Sequence, residues 1–189
     1  MFNGIIYKTG TILKIDKSTN FSEVTIKINY SFKKSEIGSS ICCNGTCLTI
    51  TKIENSCISF YLSKETLNRT NFNMSKIGDI INIEKSLNYG NKVSGHYVQG
   101  HIDTTGIVLS IKIVDKSWII SFKISKLYKK FLIEKGSISI NGVSLTISRI
   151  TKNTFQISII PHTLKLTNLI KLKKKNLVNI EFDIFSKYL

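Results

Sequence analysis

The sequence predicts an all-β chain made of two tandem, similar, small antiparallel barrels, and three observations carry that reading. The first is an internal duplication. Asn44-Gly45-Thr46-Cys47-Leu48-Thr49-Ile50-Thr51-Lys52-Ile53 returns 97 positions on as Asn141-Gly142-Val143-Ser144-Leu145-Thr146-Ile147-Ser148-Arg149-Ile150. Glu65-Thr66-Leu67 answers to His162-Thr163-Leu164, and Asn82-Ile83-Glu84 to Asn179-Ile180-Glu181. A period this long is a whole small domain rather than a solenoid unit. The second observation is alternation at period two throughout, with little helical spacing. The third is an Asn-Gly pair in each half, the signature of a tight turn or bulge between strands.

The elements follow in order. Met1-Phe2-Asn3-Gly4-Ile5-Ile6-Tyr7-Lys8 lacks the basic-then-apolar pattern of a signal peptide. Val24, Ile26, Ile28 and Tyr30 alternate with polar residues as a strand. A short helix is expected at about 32–37, before the first Asn-Gly turn. Ile58, Phe60 and Leu62 then alternate with Ser59, Tyr61 and Ser63. A linker lies near Ser86 to Ser94, so one unit covers 1–90 and a second 95–185. In the second unit Trp118, Ile120, Phe122 and Ile124 share a face. Leu127, Phe131 and Leu132 have helical spacing, giving a helix at about 126–134 before the second turn. Phe155, Ile157 and Ile159 form the next strand. Pro161 removes a ladder donor, so that strand ends there or lies at an edge. Val178, Ile180, Phe182 and Ile184 form the last strand face. Ile184 with Tyr188 and Phe185 with Leu189 have the spacing of a helix start, which leaves 186–189 as a short helical end.

Composition limits the function classes. No run of about 18 apolar residues exists, so no membrane span is expected. The four cysteines all lie in the first half, and Cys47 is matched by Ser144, so a disulfide is not expected and the cytoplasm is the expected compartment. Adjacent Cys42 and Cys43 point to opposite faces of a strand, which suits no zinc site. The net charge is +15, but the lysines are dispersed and no nucleic-acid-binding motif accompanies them. Nucleic acid is therefore not the expected partner. A glycine-rich dinucleotide fingerprint and a P-loop are both absent from the sequence.

The repeated strand is the candidate for chemistry. Leu48 and Ile50 face one side; Cys47, Thr49 and Thr51 face the other. In the second copy Leu145 and Ile147 oppose Ser144, Thr146 and Ser148. Small hydroxyls and a thiol where a solvated face would carry charges can lie beneath a flat ligand. The histidines are His96, His101 and His162. On a strand, a spacing of five would put His96 and His101 on opposite faces, so no metal site is expected from them.

Met1-Phe2-Asn3-Gly4-Ile5-Ile6, Gly45-Thr46-Cys47-Leu48-Thr49, Lys64-Glu65-Thr66-Leu67, Gly95-His96 with Gly100-His101, Lys135-Gly136 through Ser144-Leu145-Thr146, and Ile160-Pro161-His162-Thr163-Leu164 stand in order along the chain. Together they resemble the riboflavin synthase family of the barrel type. The resemblance implies two six-stranded Greek-key barrels and a C-terminal helix. It implies a dismutation of two 6,7-dimethyl-8-ribityllumazine molecules, giving riboflavin and 5-amino-6-ribitylaminouracil. It implies no metal and no organic cofactor, a homotrimer with sites between chains, and association with lumazine synthase. The family's C-terminal helix is longer than the stretch ending at Leu189, which predicts a weakened trimer.

Carried over residue by residue, the resemblance assigns an N-barrel cradle to Gly4, Ile5 and Ile6, to Cys47, Leu48 and Thr49, and to Tyr61, Leu62, Ser63, Lys64, Glu65 and Thr66. Gly100, His101 and Ile102 close it. The C-barrel cradle takes Ser144, Leu145 and Thr146 with Ser158, Ile159, Ile160, Pro161, His162 and Thr163. Lys135 resembles a lysine that reaches a neighbour's ligand. His101, Ser144 and Thr146 are implied near the reacting atoms, with Cys47 as a contact. Three positions depart from the family pattern: Asn3 for Thr, Gln99 for Ser, and Asn141 for Asp in the second cradle. Each keeps hydrogen-bonding capacity.

Overall fold

The computed structural model describes residues 1–188. The first half contains β1 (Lys8–Lys17), β2 (Phe21–Ile28), β3 (Ser40–Cys43), β4 (Thr46–Glu54), β5 (Cys57–Ser63) and β6 (Ile80–Lys85). They close into a barrel in the order β1-β2-β5-β4-β3-β6. The second half contains β7 (Thr104–Val114), β8 (Ser117–Lys123), β9 (Ser137–Ile140), β10 (Val143–Thr151), β11 (Thr154–Ile159) and β12 (Leu177–Phe182). Its barrel closes in the equivalent order, β7-β8-β11-β10-β9-β12. All pairings are antiparallel, and the jumps from β2 to β5 and from β3 to β6 give the Greek-key path.

The alternation read from sequence is what fills the barrels. Val24, Ile26 and Ile28 from β2, Leu48 and Ile50 from β4, and Ile58, Phe60 and Leu62 from β5 form the first core. Ile120 and Phe122 from β8, Phe155, Ile157 and Ile159 from β11, and Val178, Ile180 and Phe182 from β12 form the second. There Phe122 and Phe155 stack with ring centroids 5.3 Å apart.

Several sequence expectations shift in detail. Tyr30 lies beyond the end of β2, and Ile184 opens a helix, α3 (Ile184–Tyr188), rather than ending a strand. The expectation for Leu189 lies outside the described residues. The predicted helices shrink to 3-10 turns at Lys34–Glu36 and Lys126–Phe131. Two six-residue helices lie outside the periodic stretches. α1 (Lys64–Arg69) is capped by Ser63, whose Oγ accepts from Thr66 N at 3.2 Å. α2 (Pro161–Leu166) starts on Pro161, whose missing N–H costs nothing at the first helical turn. Thr51 and Ser148 keep to the polar faces of β4 and β10, exposed and half-buried, although both strands slip register there; the two hydroxyls donate to Ser59 O and Gln156 O of the adjoining strand.

The barrels meet on an approximate two-fold axis. Asn44-Gly45 and Asn141-Gly142 are tight turns with positive φ at all four residues, the pattern of type I′ hairpins. The two turns abut: a Cβ on Gly142 would lie 2.7 Å from Gly45 N. Around them the amides bond reciprocally. Asn82 Nδ2 donates to Asn141 O and Asn179 Nδ2 to Asn44 O, both at 2.9 Å. Asn168 N donates to Asn82 Oδ1 and Asn71 N to Asn179 Oδ1, both at 2.7 Å.

Candidate active site

In the first barrel, Cys47 and Thr49 stand on β4 beside β3, Cys47 half-buried and Thr49 exposed. The segment after the linker presses on them. Cys47 N donates to Gly100 O at 2.8 Å. Gly100 has φ +82°, and a Cβ there would meet Cys47 Cβ at 2.6 Å, so only glycine fits this approach. Exposed Tyr61 stacks on Phe21 at 5.1 Å. Ser63 and Thr66, expected as ligand contacts, share a hydrogen bond at the α1 cap.

The second barrel repeats this with different residues. Ser144 is half-buried and Thr146 exposed on β10. Ser144 N donates to Gly4 O at 2.8 Å, and a Cβ on Gly4 would meet Ser144 Cβ at 2.6 Å. The extreme N-terminus is thus laid over the C-barrel, and Ile6 belongs to the C-barrel core. This corrects the grouping read from sequence, which put Gly4, Ile5 and Ile6 with Cys47. The segments cross: Gly4 lies against Ser144 of the second barrel and Gly100 against Cys47 of the first. They meet at an isolated bridge between Phe2 and Val98.

The residue that sequence reasoning undervalued is His96. It is buried, and its Nδ1 lies 2.7 Å from Ser144 Oγ. Residues 95–103 form no strand, so the argument from strand faces about His96 and His101 does not apply. Burial pushes the His96 pKa down, with Asp183 pulling weakly the other way. The ring is therefore held toward its neutral form, and a neutral imidazole beside a serine hydroxyl can take its proton. Its Nε2 is buried without a partner among the described residues. His101, by contrast, is exposed.

The other expected site residues divide by burial. Leu48 and Leu62 lie in the first core, Ile159 in the second, so their side chains face away from any surface ligand. Leu145 and Thr163 are half-buried; Ile102 is largely buried. Lys64, Glu65, Lys135, Ser158, Ile160, Pro161 and His162 are exposed. Asn141 does not open onto the second cradle. It is buried on the pseudo-axis, where its Oδ1 accepts from Asn179 N at 2.8 Å, just as Asn44 Oδ1 accepts from Asn82 N. Asn3 staples the linker, bonding Lys92 O and Ser94 N. Clefts of about 510 and 540 Å³ are lined by none of Cys47, Thr49, Ser144 and Thr146.

Two buried carboxylates complete the arrangement. Glu84 accepts from Asn3 N at 2.7 Å and Gly4 N at 3.0 Å. Glu181 accepts from the backbone N–H groups of Gln99, Gly100 and His101 at 2.7, 2.8 and 3.0 Å. Burial raises each from the ordinary 4.5 to about 7, against the backbone N–H bonds that lower it. The N-terminal amine favours the ionised form of Glu84, and Lys187 that of Glu181, while Asp103 works against the latter. Between about pH 4.5 and about 7 the unfolded chain has released protons that the folded chain keeps. Stability from this source is full below the lower value and is lost as pH rises through the upper one. Chemical denaturation at pH 5 and pH 8 is expected to show that fall, flattened in Glu84→Gln/Glu181→Gln.

Comparison with known proteins agrees along the whole chain. A family model for the lumazine binding domain matches twice, at residues 3–86 and 99–183. The riboflavin synthase of Buchnera aphidicola subsp. Schizaphis graminum (strain Sg) is 40% identical over 189 residues, covering 99% of this chain and 91% of that protein. That of Escherichia coli (strain K12) is 37% identical over 185 residues, covering 97% and 87%. Among solved structures, LumP complexed with riboflavin has a TM-score of 0.86 at 27% identity, covering 96% of this chain and 99% of that one. LumP complexed with 6,7-dimethyl-8-(1'-D-ribityl) lumazine gives 0.83. With two matched domains, two crossed cradles and full-length identity of this order, the chain belongs to the riboflavin synthase family.

Proposed function

We propose that this protein is a cytoplasmic riboflavin synthase, a transferase that moves a four-carbon unit between two molecules of 6,7-dimethyl-8-ribityllumazine. The products are riboflavin and 5-amino-6-ribitylaminouracil. No cofactor takes part, a homotrimer is the working form, and association with lumazine synthase belongs to the same reading. The lumazine-binding units are taken as residues 1–90 and 95–185. The observation that carries the reading is the duplicated cradle. Two similar substrates need two similar surfaces, and Cys47 with Thr49 and Ser144 with Thr146 are equivalent positions, each pressed by a glycine strap from the other half.

The chemistry asks for two things: loss of a proton from the acidic C7 methyl of one lumazine, and a nucleophile to activate the other ring. His96 beside Ser144 is suited to the second task, accepting the serine proton as the oxygen attacks. His101, exposed on the strap over Cys47, is read as acting at the first cradle or across to a neighbouring chain. Thr146 and Cys47 supply contacts. Holding both rings in reacting geometry then provides much of the rate.

Incubating chelator-treated, dialysed protein with the lumazine alone tests the proposal. One riboflavin and one pyrimidine product should appear for every two substrates; strict dependence on added metal or nucleotide would sink it. Titration with a non-reacting lumazine analogue should approach two per chain. A second reading is a non-catalytic lumazine- or flavin-binding optical protein of the same fold; the likeness to LumP, solved with riboflavin and with the lumazine, supports ligand binding under either reading. The second reading predicts tight ligand binding, one site per chain and no riboflavin formed.

A further inference from the structure

The duplicated Asn-Ile-Glu motif ends in one glutamate per barrel, Glu84 and Glu181. Its glutamates are 8% and 2% exposed, for Glu84 and Glu181 respectively. Neither forms a salt bridge with a side chain of the described residues. A buried carboxylate without a cation is expensive to keep in a core. Both copies spend it on the same act, gripping consecutive backbone N–H groups of a segment that has almost no regular structure of its own.

The grip is crossed. Glu84 stands on β6 of the first barrel. The Gly4 it holds by N–H at 3.0 Å gives its carbonyl to Ser144 of the second barrel at 2.8 Å. Glu181 stands on β12 of the second barrel. The Gly100 it holds at 2.8 Å gives its carbonyl to Cys47 of the first barrel, also at 2.8 Å. Each glycine is thus fixed by both of its backbone groups at once, the donor by one barrel and the acceptor by the other. Positive φ and the close Cβ approach leave no slack in either contact.

We propose that Glu84 and Glu181 are positioning residues that work crosswise, each setting the strap over the cradle of the opposite barrel. This rests on the cradles being the ligand sites. Glu181 fixes the backbone of His101 directly, through its N–H at 3.0 Å, within the strap that lies against Cys47. Glu84 fixes the chain beside Ser144, whose hydroxyl His96 holds. Above about pH 7, where both carboxyls are ionised, their bonds to the backbone are charge-assisted, the stronger kind, and define direction as well as distance. The substrate's two surfaces are therefore not independent: each is completed by a residue rooted in the other domain.

Cys47 offers a readout that needs no turnover. In Glu181→Gln, alkylation of Cys47 by iodoacetamide, followed by peptide mass spectrometry, should rise roughly tenfold, about what loss of one charge-assisted bond allows. Amides 99–101 should exchange faster, and about tenfold more riboflavin should be needed to protect Cys47. In Glu84→Gln, Cys47 and amides 99–101 should stay as in the parent, while amides 3, 4 and 144 exchange faster. Should a glutamine variant not fold, the aspartate variant, which keeps the charge but shortens the reach, is read in its place. Equal exposure of Cys47 in both variants, or no change in either, would overturn the crossed arrangement. Failure of riboflavin to protect Cys47 in the parent protein would instead count against the cradle, with the exchange pattern still deciding the straps.

Discussion

Ser144→Ala is expected to lower riboflavin formation by about 10²–10⁴-fold, the range typical of removing a positioned proton-transfer group. Its folded state should lose only about 1–2 kcal/mol, because the side chain is half-buried and makes one hydrogen bond, to His96 Nδ1 at 2.7 Å. His101→Ala should show the same separation more cleanly, since that side chain is exposed and its backbone is held by Glu181 regardless of side chain. Single-turnover kinetics beside thermal melts of the same samples make the test. Activity lost only in step with folded fraction would make the serine a structural partner of His96 and nothing more.

The fold was legible because its signals are redundant. Each barrel repeats an apolar alternation several times, and the cores consist of those residues: Ile58, Phe60 and Leu62 in one, Phe155, Ile157 and Ile159 in the other. The Asn-Gly pairs announced their turns through the φ values only such residues adopt readily. What periodicity could not supply is anything shorter than a helical period or made by crossing. α1 and α2 are six residues each, written in a cap and a proline rather than in an amphipathic stripe. The bulges at Thr51 and Ser148 leave no mark in a simple alternation.

The site was legible in its parts and misread in its grouping. Cys47, Thr49, Ser144 and Thr146 follow from the repeat, and the structure puts them at equivalent places. That Gly4 lies against Ser144, about 140 residues away, follows only from the swap of the straps. A signal was present: glutamates repeated at 84 and 181, each directly after a core isoleucine, Ile83 and Ile180. A carboxylate in such a place needs donors, and donors free of regular structure are found in segments like 3–4 and 99–101. His96 was hidden by treating 96–101 as a strand.

Gly142→Ala is expected to be a strongly damaging small substitution, costing about 3–5 kcal/mol. Part of this is backbone strain at φ +81°, which any L side chain would suffer. The larger part is contact. The new methyl would lie 2.7 Å from Gly45 N and 3.1 Å from Gly45 Cα, and neither atom is the end of a flexible side chain. The two turns have to separate, which stretches the amide bonds from Asn82 to Asn141 and from Asn179 to Asn44. Gly38→Ala isolates the strain. Gly38 has φ +89° but nothing within 4 Å of a Cβ, so it should cost only about 1 kcal/mol. Urea denaturation of both variants gives the comparison, and similar losses would show that the contact between turns is not what holds the barrels. The damage should also reach the chemistry. Gly100 meets Cys47 and Gly4 meets Ser144 only while the barrels keep this approach, so a shift at the axis lifts both straps from both cradles together. Folded Gly142→Ala protein is therefore expected to lose ligand at both sites, whereas Glu84→Gln or Glu181→Gln weakens one.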